Sequence, residues 1–154
     1  MSIASTLKTI FLAATITVYA IAPKASATQA QLQPNHESCT ALFQASQLKQ
    51  AINVCQTEAE AGSSIAAETL ARMYFGQGEL NNQAKAFEWA KIASERGSAS
   101  SQALLGLMYL RGDGVEKNTE KAQHYIQLAI DNGNKGAKEL RKLMKRAGLW
   151  KKAS

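Results

Sequence analysis

The sequence predicts an all-α protein in which helix hairpins stack into a right-handed α-solenoid with a C-terminal capping helix. Two observations support this: one pattern occurs twice at a fixed spacing, and apolar residues within each copy follow the period of an α-helix. Met73-Tyr74 recurs as Met108-Tyr109, 35 positions later. Six more residues recur 36 positions later: Gly76, Gly78, Ala86, Trp89, Ala93 and Gly97 become Gly112, Gly114, Ala122, Tyr125, Ala129 and Gly133.

Each copy contains two predicted helices joined by a glycine-containing turn. In the first copy, Ala66, Leu70 and Met73 fall on one helical stripe, and a second stripe contains Ala86, Trp89, Ala90 and Ala93. Glycines between the stripes favour a left-handed helix end, and Asn82 and Asn118 are placed to cap the second helices. Small residues at matching positions, such as Ala71 and Gly106, allow close helix approach. Each copy is therefore predicted to be a helix hairpin.

The repeated residues resemble the Sel-like repeat, a relative of the tetratricopeptide repeat. The second copy fits the family pattern best, through Leu105-Gly106, Met108-Tyr109, Gly112-x-Gly114-Val115, Lys121-Ala122, Tyr125, Ala129 and Gly133. It departs at Ser101, where the family usually has alanine, and the first copy departs at Ala71 and Leu80. The resemblance implies a solenoid that binds proteins or assists assembly, and it implies no single activity.

The N-terminal residues predict export. Residues 1–27 have the pattern of a secretory signal peptide: Lys8, an uncharged run of 13 residues at 10–22, Pro23, and the small-x-small site Ala25-Ser26-Ala27. An uncleaved anchor is the alternative, although a membrane span needs about 20 apolar residues. We therefore expect a cleaved, periplasmic protein, with secretion to the outside as the other possibility. Residues 28–37 are polar and predict a flexible lead-in.

Residues 38–62 predict a degenerate first hairpin that contains both cysteines. Gly62 lies 35 residues before Gly97, and Ala51 lies 35 residues before Ala86, so the repeat register extends back to this segment. An exported chain with two cysteines favours a disulfide, here between Cys39 and Cys55. A redox-active pair is the alternative, but the Cys-x-x-Cys spacing is absent. The predicted repeats then occupy 63–97 and 98–133.

Residues 134–154 predict a basic capping helix and tail. From 135 to 152 there are eight Lys and Arg residues against one acid, a net charge of +7. The candidate basic surface comprises Lys138, Arg141, Lys142, Lys145 and Arg146. Either these side chains form a solvated cap, or they contact an acidic partner or an anionic membrane surface. Nucleic acid is not expected, because the chain is predicted to be exported and only Trp150 offers stacking there.

Catalytic and metal-binding patterns are absent from the sequence. The two histidines, His36 and His124, lie far apart, and Asp113 between two glycines lacks the regularly spaced acids of a calcium loop. A Cys–His nucleophile pair would need a thiol that the expected disulfide removes. We therefore expect a non-enzyme with no cofactor and no bound metal.

The first helices of stacked hairpins line the concave side, where such proteins commonly take a peptide or partner helix. If the tetratricopeptide register applies, Ile65, Glu68, Arg72 and Phe75 face the groove from the first full repeat, and Ser100, Ala103, Leu107 and Leu110 from the second. The alternative is that Phe75 and Leu107 only pack against the next helix. This surface predicts binding of an apolar peptide with a charged neighbour.

The sequence thus predicts an exported interaction module that binds a protein or peptide partner and that assists assembly or regulation of an envelope complex. Two other classes remain open. One is an immunity or inhibitor protein that blocks a toxin or hydrolase. The other is a cell-wall-active enzyme, by analogy with exported cysteine-containing members of the family.

Overall fold

The computed structural model describes residues 38–76 and 79–150, and this part of the chain contains seven α-helices and no strand. In chain order the helices are α1 Cys39–Gln44, α2 Leu48–Glu60, α3 Ser64–Phe75, α4 Gln83–Glu95, α5 Ala99–Arg111, α6 Thr119–Asp131 and α7 Lys135–Arg146. The predicted all-α solenoid is confirmed. The predicted signal peptide at 1–27 and the lead-in at 28–37 lie outside the described residues.

Short polar side chains cap the N-termini of the described helices, except for α2, whose Gln47 makes no side-chain cap hydrogen bond. Asn82 Oδ1 accepts the Lys85 backbone N–H at 3.0 Å, and Asn118 Oδ1 accepts that of Lys121 at 2.8 Å, as the sequence predicts. Serine or asparagine caps α1, α3, α5 and α7 in the same way. Each cap satisfies one of the backbone donors that a helix start leaves free.

The glycine turns of the two repeats differ. Gly112 ends α5 in the left-handed region at φ 85°, as predicted. Gly76 ends α3 with extended backbone at φ −60° and ψ 170°, so the prediction of a left-handed conformation is wrong there. The first repeat lacks a counterpart of Arg111, so α3 has 12 residues where α5 has 13, whereas the connections at 76–82 and 112–118 are equally long.

Consecutive helices pack into one continuous stack. Each hairpin packs its two helices together, each second helix packs on the next first helix, and the first helices α1, α3 and α5 contact in sequence. A buried core cluster joins residues from α1 to α5, and a second cluster joins α5, α6 and α7 around Tyr109 and Ile126. Repeat geometry of this kind makes each hairpin depend on its neighbours for burial.

Small residues set the distance between helices in each hairpin. A Cβ built on Gly106 would lie 2.5 Å from Ile126 Cγ1 and 3.2 Å from the Ala122 carbonyl oxygen, so α5 and α6 approach closely there. The matching positions of the first repeat are Ala71 and Ala90, both fully buried in one cluster. One repeat therefore combines glycine with isoleucine, where the other combines two alanines.

A disulfide between Cys39 and Cys55 joins α1 to α2, with the two Cα atoms 4.6 Å apart and both residues fully buried. The Cys39 backbone N–H also donates to Glu58 Oε1 at 3.0 Å, so α1 is attached to α2 at two neighbouring points. Closing a loop of this length stabilises by about 3 kcal/mol. The covalent bond compensates for the shortness of α1, which has only 6 residues.

Candidate partner-binding groove

A groove of about 250 Å³ lies where α3 and α5 meet. Its wall combines a carboxylate, a guanidinium, two apolar side chains and two hydroxyls, from Glu68, Arg72, Phe75, Gly76, Ser100, Ser101 and Leu104. We call this the α3–α5 groove. Phe75 and Leu104 are half-buried and also pack against the first core cluster, so they support the fold and line the groove at once.

The structure brings together only part of the predicted concave set. Glu68, Arg72, Phe75 and Ser100 line the α3–α5 groove, whereas Leu107, Leu110 and Ala103 do not. Ile65 is 62% exposed and also lies outside the groove lining.

The position of each α5 residue around the helix explains this division. Ser100 and Leu104 lie one turn apart and line the α3 side of α5. Ala103 and Leu110 pack instead against the second core cluster, which contains Ala137 and Met144 of α7. Leu104 was therefore not among the residues predicted from the sequence to line the groove.

Arg72 gives the groove an available positive charge. Its side chain is exposed and its guanidinium carbon lies 5.4 Å from the centre of the Phe43 ring, a cation–π arrangement. Among the described residues, no carboxylate oxygen lies within 4.0 Å of an Arg72 nitrogen. The nearby acid is engaged elsewhere, because Glu68 Oε2 accepts the Ser98 hydroxyl at 2.8 Å.

Ser101 adds a hydroxyl to the lining. The residue is 1% exposed, and its Oγ has no hydrogen-bond partner in the described part of the chain. Buried polar atoms are usually paired, so this hydroxyl is an exception, although its Oγ is itself buried and is not exposed in the groove. Ser101 is also the position where the second repeat departs from the alanine of the family pattern, which was the signal in the sequence.

A second cavity of about 390 Å³ lies beside α2 and α4. It is lined by Gln56, Tyr74, Ala84, Lys85, Glu88, Trp89, Ile92 and Gly114. Lys85 Nζ lies 5.3 Å from the centre of the Tyr74 ring, the same kind of contact that Arg72 makes with Phe43 in the α3–α5 groove. This cavity was not predicted from the sequence.

The predicted basic surface lies on α7. Lys138, Lys142, Lys145 and Arg146 are exposed, and Lys142 pairs with Glu139 at 2.8 Å. Arg141 is half-buried and donates to Gln127 Oε1 on α6 at 3.2 Å, so this guanidinium helps to attach α7 to α6.

Comparing α7 with the equivalent positions of α5 in the preceding repeat explains where these cations lie. Arg141, Lys142 and Lys145 stand 36 residues after Leu105, Gly106 and Tyr109, which are buried in α5. Polar side chains thus replace buried ones on a helix that the described residues do not cover with another hairpin.

The described residues contain no cluster of three or more His, Cys, Asp or Glu side chains that could hold a metal ion. Within the same residues, no helix is long and apolar enough to cross a membrane.

Stacked helix hairpins with a groove between successive first helices define the class of α-solenoid repeat proteins. The sequence model of the Sel1 repeat matches residues 65–98 and 99–134. The chain therefore contains two Sel1 repeats, which span α3 to α6. Sel1 repeats mediate protein–protein interaction and are typically non-enzymatic scaffolds.

The chain is also similar to individual known proteins. The chain is 42% identical over 52 residues to the Drosophila melanogaster cytochrome c oxidase assembly factor 7 homolog, over 34% of this chain and 20% of that protein. Among solved structures, it matches a protective antigen with an SLR fold from uropathogenic Escherichia coli at 31% identity and a TM-score of 0.62. It matches a Sel1 repeat protein from Oxalobacter formigenes at 27% identity and the same TM-score, 0.62. Each structural match covers 66% of this chain but only 22% and 30% of the other chains.

Proposed function

We propose that this chain is an exported, non-enzymatic interaction module that binds a segment of a partner protein in the α3–α5 groove. The observation that supports this most is the groove itself, because it combines an apolar wall with Arg72, whose charge has no acidic partner among the described residues. Ligand sites in proteins commonly pair a mainly apolar lining with a few placed polar atoms.

The lining favours a particular kind of segment. An apolar side chain fits against Phe75 and Leu104, which are half-buried and leave part of their surface open. A carboxylate on the same segment fits Arg72, since a guanidinium binds carboxylates through two parallel hydrogen bonds.

Export is the second part of the proposal. The pattern of residues 1–27 supports it, and so does the disulfide, because disulfides persist mainly in oxidising compartments such as the periplasm. The partial match to a protein named as an assembly factor supports a role in assembling or regulating an envelope complex.

A pull-down from envelope extract tests the proposal with four proteins. Wild type is compared with Ser100→Trp, which fills the groove from an exposed position, and with Arg72→Glu, which reverses its charge. Arg111→Glu is the matched control, because Arg111 is also exposed, also lies in the last turn of its helix, and does not line the groove.

The expected result is a protein partner that wild type and Arg111→Glu retain and that both groove variants lose. Equal capture by all four proteins would show that the partner binds outside the groove. Capture of no protein by wild type would overturn the interaction module itself.

A further inference from the structure

The exposed face of α7 carries a row of cations. Lys135, Lys138, Lys142, Lys145 and Arg146 are all exposed, and at 3.6 residues per turn they fall within about 100° of the helix circumference. From Lys135 to Arg146 the row extends about 16 Å along the axis. We call these five residues the cationic face of α7.

The body of the protein holds this face in a fixed orientation. Ala137 and Met144 of α7 are 1% and 2% exposed and belong to the second core cluster. Asn134, the cap of α7, also donates from its side chain to the Ala99 carbonyl at 3.2 Å. The cations therefore point outward together, and do not depend on a flexible tail.

A cap needs polar side chains, but it does not need charges of one sign. α7 contains six Lys and Arg residues against Glu139 alone, a net charge of +5. The described residues before it, 38–76 and 79–134, contain eight Lys and Arg against ten Asp and Glu, a net charge of −2. The positive charge is therefore concentrated at one end of the stack, beyond what solubility requires.

The residue types on α7 favour a diffuse anionic surface over a specific protein site. Four of the five exposed cations are lysines, and protein interfaces are depleted in lysine and enriched in arginine and aromatic residues. A lysine is a compact charge on a flexible stem, so it adapts to phosphates at many positions. α7 itself contains no aromatic side chain for stacking on bases.

Two exposed leucines near the cationic face require that the ligand surface also accept apolar side chains. Leu143, one turn before Arg146 at the edge of the cationic face, is 58% exposed, and Leu149 beyond the end of α7 is 39% exposed. A phospholipid surface has phosphates above an apolar layer, so it can receive both kinds of side chain. A nucleic acid offers the phosphates without the apolar layer.

We propose that the cationic face of α7, with Leu143, docks the protein on a phospholipid bilayer that contains anionic headgroups. The negative body opposes approach by the other end of the stack, so the charge distribution orients the protein on the surface. Arg72 and Leu104 do not belong to this face, and the α3–α5 groove remains free for a partner. The proposal is therefore independent of the groove.

Vesicle co-sedimentation tests this with the purified chain. The probes are phosphatidylcholine vesicles with and without 30% phosphatidylglycerol, at low and at physiological salt. Each lysine contributes about a fivefold factor to partitioning onto an anionic surface, so Lys138→Glu with Lys145→Glu should lower it by at least about 25-fold. The matched control is Lys49→Glu with Lys117→Glu, which changes the net charge equally at exposed positions outside α7.

Wild type should bind only the anionic vesicles, more weakly at higher salt, and the control variant should lose much less binding than the α7 variant. Leu143→Ser should also weaken binding while its helical circular dichroism stays unchanged. Absence of wild-type binding, or equal losses in the two lysine variants, would overturn the proposal. Binding to duplex DNA as tight as binding to the vesicles, unaffected by Leu143→Ser, would show a general polyanion surface and would also overturn it.

Discussion

Replacing Gly106 with alanine should destabilise the protein, although alanine is the better helix former. The change favours the helical state by about 1 kcal/mol. The new Cβ would lie 2.5 Å from Ile126 Cγ1 and 3.2 Å from two backbone atoms of α6, and Ile126 is fully buried and has little room to move. Overpacking of this kind costs about 1–3 kcal/mol. The net loss should therefore be up to about 2 kcal/mol.

The first repeat indicates how this cost can be removed. Ala71 and Ala90 occupy the positions of Gly106 and Ile126, and both alanines are fully buried. Ile126→Ala alone should cost about 2–5 kcal/mol through the cavity it leaves. In that background the Cγ1 atom is gone, so adding Gly106→Ala should be neutral or should stabilise by up to about 1 kcal/mol.

Urea denaturation of wild type, the two single variants and the double variant measures this coupling. The free energies of unfolding should be non-additive by about 1–3 kcal/mol, with the double variant more stable than the sum of the single changes predicts. The same loss from Gly106→Ala in both backgrounds would refute the argument, because it would show that Ile126 does not limit the approach of α5 and α6.

Three further outcomes are expected. Tyr109→Ala should cost about 3–5 kcal/mol in chemical denaturation, because the ring is 8% exposed and packs against the rings of Phe87 and Tyr125; a loss under about 1 kcal/mol would contradict this. Replacing Cys39 and Cys55 together by alanine should cost about 3 kcal/mol, and mass spectrometry of the non-reduced wild type should find no free thiol; two alkylated thiols would contradict the bond. Burial, with a smaller effect of the Tyr109 phenol, raises the pKa of Tyr125 above its ordinary 10.0. Between about pH 10 and that raised pKa, the folded protein keeps a proton on Tyr125 that the unfolded chain has lost, so unfolding releases a proton and the free energy of unfolding should fall as the pH rises. The fall should be less steep in Tyr125→Phe, and equal slopes in the two proteins would refute the role of Tyr125.

The repeat predicted much of the fold because equivalent residues of the two copies pack in equivalent places. Ala86 and Ala122 both face a neighbouring helix, and both are fully buried, so a small residue at one position supports the interpretation of the other. The asparagine caps could be recognised because an asparagine directly before a helix can accept a hydrogen bond from a free backbone N–H of the first turn. The turn at Gly76 could not be predicted, because Gly76 and Gly112 occupy equivalent repeat positions and yet adopt different backbone conformations.

The groove was less predictable than the fold. Leu104 and Leu107 are both leucines on α5, but which of them faces α3 depends on the rotation between successive hairpins, and the sequence does not specify that rotation. Ser101 was noticed as a departure from the family pattern. Its significance required the structure, because an alanine-sized site can bury a hydroxyl with or without an acceptor.

Site-specific photo-crosslinking in the living host tests the groove most directly. A photoreactive residue at Ser100, exposed in the wall of the groove, is compared with the same residue at Glu120, exposed on α6 and outside the groove lining. We predict that illumination yields a discrete crosslinked protein from position 100 and not from position 120. A crosslink from position 120 alone, or from neither position, would contradict binding of a partner protein in the α3–α5 groove.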